Sequence, residues 1–232
     1  MATETPKPSI SIRKYIKWGD APPSEPTSTR VLTSPEKRFV DVRLLLPESS
    51  QDLPVRDLAA VDWAFAGTSS HDETVSPPHS VFTHWVDSRH ADAAAVRDEG
   101  DNFPGAAEGE SLERGHMVNP ESGRDEPYEE CWVDGIQVDE RGARADSGFA
   151  LRYEDGDDKG LVVRIGDLIQ GVLRRDGDVG LFRWVLGHGE MRTIVAEAGK
   201  HESFPRDGLT NPKKSDKIDS KNGWAWICVE DW

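Results

Sequence analysis

The sequence predicts an all-β protein, a barrel or sandwich of short antiparallel strands. Apolar residues recur at every second position along most segments, and Gly, Pro and Asp cut those segments at short intervals. Helical spacing is weak throughout, with room for one short turn at 92–96.

Taken in order, Ser9–Trp18 sets Ile10 and Ile12 against Ser9, Ser11 and Arg13. Residues 20–34 are rich in Pro, Ser and Thr and read as a flexible loop. The strand at 37–46 puts Val40, Val42, Leu44 and Leu46 on one face. Residues 61–66 set Val61, Trp63 and Phe65 against Asp62, Ala64 and Ala66. A strand at 80–87 lies between polar loops at 69–79 and 89–110. In the strand at 129–138 and the residue before it, Tyr128, Glu130 and Trp132 share a face. Further strands are expected at 148–153, 160–165, 180–186, 191–196 and 223–229. The apolar run 161–173 is long enough for a helix, but Gly160, Gly166 and Gly171 favour two strands or a bulge. A long polar insert fills 199–222. The stretch 139–147 is the expected boundary, dividing the chain into halves 1–140 and 141–232.

The chain carries 43 acidic against 28 basic residues in 232, a formal net charge of −15. Phosphate backbones and anionic membranes need clustered Lys and Arg, so neither nucleic acid nor membrane is an expected partner. Hydrophobic residues reach only 36%, so part of the chain must be solvated loop, but eight Trp and seven Phe argue against global disorder. No run approaches the roughly 18 apolar residues of a membrane helix, and residues 1–9 lack a signal-peptide core. Cys131 and Cys228 read as reduced thiols. The expectation is a soluble, cytoplasmic protein.

The sequence has no Cys-x-x-Cys, His-Glu-x-x-His, Gly-x-x-x-x-Gly-Lys-Ser/Thr, Gly-x-Gly-x-x-Gly or Gly-x-Ser-x-Gly. Its seven histidines show no metal spacing, so neither metal nor cofactor is expected. What stands out is aromatic. Trp63, Phe65, Trp85, Tyr128, Trp132 and Trp184 are candidate pocket walls, because indole and phenol groups seek polar partners when buried. His84 and Arg183 interrupt apolar strands, and Glu130 sits among aromatics, where desolvation would raise its pKa and suit it to general-acid work. His116 completes the candidate catalytic set. Plain packing or surface exposure is the bland alternative for each. The expectation is an aromatic-walled, mostly apolar chamber for small apolar or aromatic substrates.

Three blocks carry a resemblance: Trp63-Ala64-Phe65-Ala66-Gly67-Thr68, Trp85-Val86-Asp87, and the run from Gly160 to Gly171, GLVVRIGDLIQG. In this order they resemble the Hri family, fungal proteins first known as partners of a casein-kinase-like enzyme. The similarity spans 37–232. It implies two lipocalin-like antiparallel β-barrel halves with long polar loops. Similar proteins of filamentous fungi are hetero-Diels–Alderases, which join a tropolone quinone methide to a humulene-type alkene without a cofactor. No motif carries catalytic residues over. The resemblance therefore implies either a pericyclase or a non-catalytic interaction protein, with a carrier of a small apolar ligand as a third reading. In the interaction reading a protein kinase is a partner, and Ser34-Pro35 and Ser76-Pro77 are candidate phosphorylation sites.

Overall fold

The computed structural model describes residues 7–46, 54–133, 147–186 and 192–232. In the first half, eight strands close an antiparallel barrel in chain order: β1 (Ser9–Trp18), β2 (Thr27–Thr33), β3 (Arg38–Leu45), β4 (Val61–Asp72), β5 (His79–Asp87), β6 (Glu99–Pro104), β7 (Glu110–Val118) and β8 (Asp125–Val133). β8 returns to pair with β1, which removes the exposed edges that invite aggregation.

The second half holds β9 (Gly148–Asp155), β10 (Asp158–Ile165), β11 (Leu168–Arg175), β12 (Asp178–Leu186), β13 (Arg192–Gly199), β14 (Lys217–Asp219) and β15 (Ala225–Asp231). They form one antiparallel sheet in the order β13-β12-β11-β10-β9-β15-β14. The ambiguous run 161–173 is indeed two strands. At the next hairpin, Asp176 and Gly177 both take positive φ, the Asp-Gly turn whose twist matches paired strands. The boundary expected at 139–147 falls almost wholly outside the described residues, between Val133 and Gly148.

The main apolar core lies between the halves, not inside the barrel. Val40, Val42 and Leu44 of β3 and Ala64 and Ala66 of β4 pack outward against Leu161, Val163, Val172 and Leu181 of the sheet. The other face of the sheet has its own core of Leu151, Phe182, Trp184, Phe204 and Trp226. The insert 199–222 contributes to it through Phe204, Leu209 and Ile218.

Several expectations are corrected here. The segment 20–34 is not a flexible loop throughout, since residues 27–33 are barrel strand β2 with Thr27 and Thr29 buried. β6 and β7 were missed within and beside the loop 89–110. Their inward positions hold Asn102, Ser111 and Glu113, so no apolar alternation marks them. Ser34 is fully buried and its hydroxyl donates to Glu230, which closes it to a kinase.

Arg183 points into the seam between the halves. It donates to Gln170 Oε1 at 2.6 Å and to the carbonyls of Ser28 and Val42. Gln170 donates in turn to the carbonyls of Arg30 and Val40. Arg183 is therefore a strut between halves, because its strand neighbours Phe182 and Trp184 turn the opposite way. Trp184 packs in the second core at 0% exposure. Trp85 faces outward from β5, with the Arg152 guanidinium 4.3 Å from its ring centre. His116 is exposed, 3.8 Å from Asp125.

Candidate functional site

The period of two that sends Val40, Val42 and Leu44 outward sends Phe39, Asp41 and Arg43 into the barrel. The same parity brings in Arg13 from β1, Trp63 and Phe65 from β4, Glu113 from β7, and Tyr128, Glu130 and Trp132 from β8. The barrel interior is accordingly charged and aromatic. The expected greasy chamber is corrected: its apolar walls are present, but carboxylates and guanidiniums sit among them.

Two cavities open along the barrel. An inner chamber of about 190 Å³ lies at the end formed by Ser11, Thr33, Phe39, Ser111 and Trp132. A vestibule of about 450 Å³ lies at the other end, beside Trp18, Leu45, Trp63, Arg89 and Tyr128. Arg43, Asp98 and Glu130 border both and form a charged belt across the lumen.

The belt is closely paired. Arg43 donates to Asp41 at 3.0 Å and to Glu130 at 3.2 Å, and its guanidinium lies 5.2 Å from the Trp63 ring centre. Arg13 donates to Glu130, to Glu25 at 2.9 Å and to Thr27 at 2.8 Å. Burial pushes the Glu130 carboxyl up, but Arg43 and Arg13 outweigh it and hold the group below the usual carboxylate range. Glu130 is thus ionised and is not the general acid expected of it. Asp41 is raised, because burial outweighs Arg43, and its Oδ1 is buried without a hydrogen-bond partner.

A second carboxyl that burial raises is Glu113. Burial, then the charges of Glu130 and Asp98, push it up to about 8. It accepts a hydrogen bond from the Tyr128 hydroxyl at 2.7 Å. Two glycines make room for this pair. A Cβ at Gly100 would lie 2.6 Å from Glu113 Cγ, and one at Gly115 would lie 2.7 Å from the Tyr128 ring.

His84 lies behind the wall, stacked on Phe65 with ring centres 4.2 Å apart. Its Nδ1 is 2.8 Å from Asp87 and its Nε2 2.9 Å from Asp98. Two carboxylate partners require both nitrogens to donate, so the ring is an imidazolium. Burial lowers its pKa, but Asp87 and Asp98 outweigh burial and raise it. With no exposed side-chain surface, His84 is a support for Phe65 and Asp98, not the open acid or base expected from sequence. Asp87 also accepts from Trp63 Nε1 at 3.0 Å.

Glu113 makes stability depend on pH. Its folded value near 8 lies above the ordinary 4.5, so the folded protein keeps a proton that the unfolded chain releases. The contribution is complete below about 4.5 and is lost as pH rises to about 8, at up to about 1.4 kcal/mol per pH unit. Glu113→Gln is expected to flatten this fall, read as urea stability at several pH values against wild type. Equal slopes in the two proteins would show that Glu113 titrates normally.

A family model described as Protein HRI1 matches residues 9–230. The chain belongs to the HRI1 family. Protein HRI1 of Kluyveromyces lactis is 23% identical over 256 residues, spanning 96% of this chain and 98% of the relative. The crystal structure of an uncharacterized Saccharomyces cerevisiae protein, YLR301w, aligns with a TM-score of 0.76 at 20% identity, covering 97% of this chain and 99% of the other. That likeness shows the fold. Mapped on this HRI1-family chain, the recognised blocks mostly build the seam: Ala64 and Ala66 pack into it, and the β10–β11 hairpin carries Gln170. Only Trp63 and Phe65 of those blocks reach the lumen. The residues that set its chemistry (Arg13, Asp41, Arg43, Asp98 and Glu113) carried no signal, because charge alternating with an apolar stripe reads as a solvent face. Among the described residues, no group of three or more His, Cys, Asp or Glu could hold a metal ion, and no helix is long and apolar enough to cross a membrane.

Proposed function

We propose that the first barrel binds a small organic guest in its lumen. One observation carries this reading: the barrel interior is built from buried charges where apolar filling would be as stable or more so. Replacing a buried ion pair by well-packed apolar residues is often neutral or stabilising by about 1–4 kcal/mol. Here Arg13, Arg43, Asp41, Glu113 and Glu130 all lie at or below 9% exposure around open space. Perturbed groups converging on a cavity are the usual mark of a binding or catalytic site. The inner chamber lies below the roughly 300–1,000 Å³ typical for drug-sized ligands, so the guest is compact or extends past the belt.

Filling the chamber tests this. Thr33→Trp, at its half-exposed rim, is expected to abolish the fluorescence gain of N-phenyl-1-naphthylamine while unfolding within a few degrees of wild type. No gain with wild type, or an equal gain with the variant, would overturn lumen binding.

A second reading makes the same lumen the site of a hetero-Diels–Alder reaction. Glu113 favours it: a carboxylic acid still protonated near neutral pH beside aromatic walls is suited to expelling water from a hydroxymethyl tropolone. Phe65 and Trp132 would shield the resulting quinone methide from water. Purified protein mixed with such a precursor and humulene alcohol should then change the rate or stereochemistry of adduct formation relative to buffer, and Glu113→Gln should remove the change. No difference from buffer would end this reading and leave the binding one.

A further inference from the structure

We propose that the inner chamber takes an uncharged guest, a single aromatic or flat apolar ring bearing a carbonyl, and that the Glu113 carboxyl donates a hydrogen bond to that carbonyl. The inference rests on the lumen-binding reading and names the guest's chemical class.

Charge comes first. The ions at the chamber already have counter-ions. Arg43 pairs with Asp41 and Glu130, Arg13 pairs with Glu130 from beyond the belt, and His84 pairs with Asp98 from behind the wall. A charged guest of either sign would shed its water and meet no free counter-charge. A neutral guest escapes that penalty, and a volume of about 190 Å³ holds it to one ring with a short substituent. Phe39, Phe65, Phe82 and Trp132 supply the apolar wall for the ring.

Glu113 differs from the other carboxyls of the chamber. It is 7% exposed and forms no ion pair among the described residues. A buried carboxyl without a cation keeps its proton. Its charged neighbours agree: Asp98 ahead of β6, Glu130 directly opposite on β8, and Asp41 and Arg43 on β3 share the chamber. Three carboxylates against one guanidinium favour the neutral form. The titratable Tyr128 on β8 donates its hydroxyl proton to Glu113 Oε1. That leaves the carboxyl proton on Oε2, which no described residue bonds. Oε2 is not one of the closed-off polar atoms without a partner, so it keeps surface on the chamber that Glu113 lines. The chamber thus holds a donor in want of an acceptor, and a carbonyl oxygen supplies one.

Calorimetry with four single-ring probes distinguishes the outcomes: acetophenone, ethylbenzene, 1-phenylethylamine and benzoate. At about pH 6 acetophenone is expected to bind at least about tenfold tighter than the amine or benzoate. Raising the pH to about 9 should weaken acetophenone by up to about tenfold, because a carboxylate repels the carbonyl, and ethylbenzene by less than about twofold. Glu113→Gln should keep the affinity for acetophenone, since its amide donates to the same oxygen, and should remove the pH dependence. The wild-type comparisons need no variant, so poor folding of Glu113→Gln leaves the test intact. An ion binding as tightly as the ketone, or equal pH losses for ketone and hydrocarbon, would overturn the inference and leave lumen binding standing. If none of the four binds while N-phenyl-1-naphthylamine does, the guest sits outside the inner chamber and this inference fails alone.

Discussion

Arg43→Ala should be the most damaging single substitution in the barrel, costing about 3–5 kcal/mol of folding stability. The loss arises from what stays behind. Asp41 and Glu130 would keep their buried positions without the guanidinium that neutralises both. Burial already outweighs pairing at Asp41, so it would take up a proton and lose its ion pair. Urea unfolding read by tryptophan fluorescence measures the effect. Neutralising the partners as well, with Arg43→Met, Asp41→Asn and Glu130→Gln together, should recover most of the stability, since Arg13 keeps Glu25 and Asp98 keeps His84, so no buried ion is left unpaired. A loss under about 1 kcal/mol for Arg43→Ala would mean that water reaches the belt and solvates it.

Arg183→Met should cost a similar amount, about 3–5 kcal/mol, from a different place. Arg183 is 1% exposed and ties β12 to β2 and β3. Methionine fills much of the volume but leaves Gln170 Oε1 and the carbonyls of Ser28 and Val42 without this donor. Each unsatisfied buried acceptor costs about 1–3 kcal/mol. For a chain of this size that corresponds to roughly 10 °C in melting temperature. The seam is also what couples the halves, so the variant should unfold in two separable steps. A single transition at the wild-type midpoint would show that the apolar contacts around Val42 and Leu181 hold the halves together unaided.

The strands legible in sequence were those with one apolar face toward the seam or the second core. β3 and β4 declare themselves through apolar residues at alternate positions, whereas β10 and β11 are continuous apolar runs that read as helix or strand until the structure separates them. β2, β6 and β7 did not declare themselves, because their inward residues are Thr, Asn, Ser and Glu. A strand whose buried side is polar has no hydrophobic period to read. The candidate site divides by the same rule. Parity put Trp63 with Phe65 on one strand and Tyr128 with Glu130 and Trp132 on another, and all five line the lumen or its vestibule. Trp85, Trp184 and Arg183 were misplaced because parity says which residues share a face, not what that face meets.

Alternation and turn residues by themselves determined the all-β class and most strand positions, and composition determined the net acidic charge. These are local properties, set by periods of two residues and by backbone freedom at single positions. Tertiary structure alone decided which side of each strand is inside. It put the greasy stripe of β3 against a second sheet and its charges around a cavity, and it lowered the carboxyl pKa of Glu130 while raising that of Glu113. A carboxyl's proton depends on neighbours that lie far along the chain, such as Arg13 and Arg43 for Glu130, and Asp98 for Glu113. Closure of the barrel is what brings those neighbours within a few ångströms and keeps water from screening them.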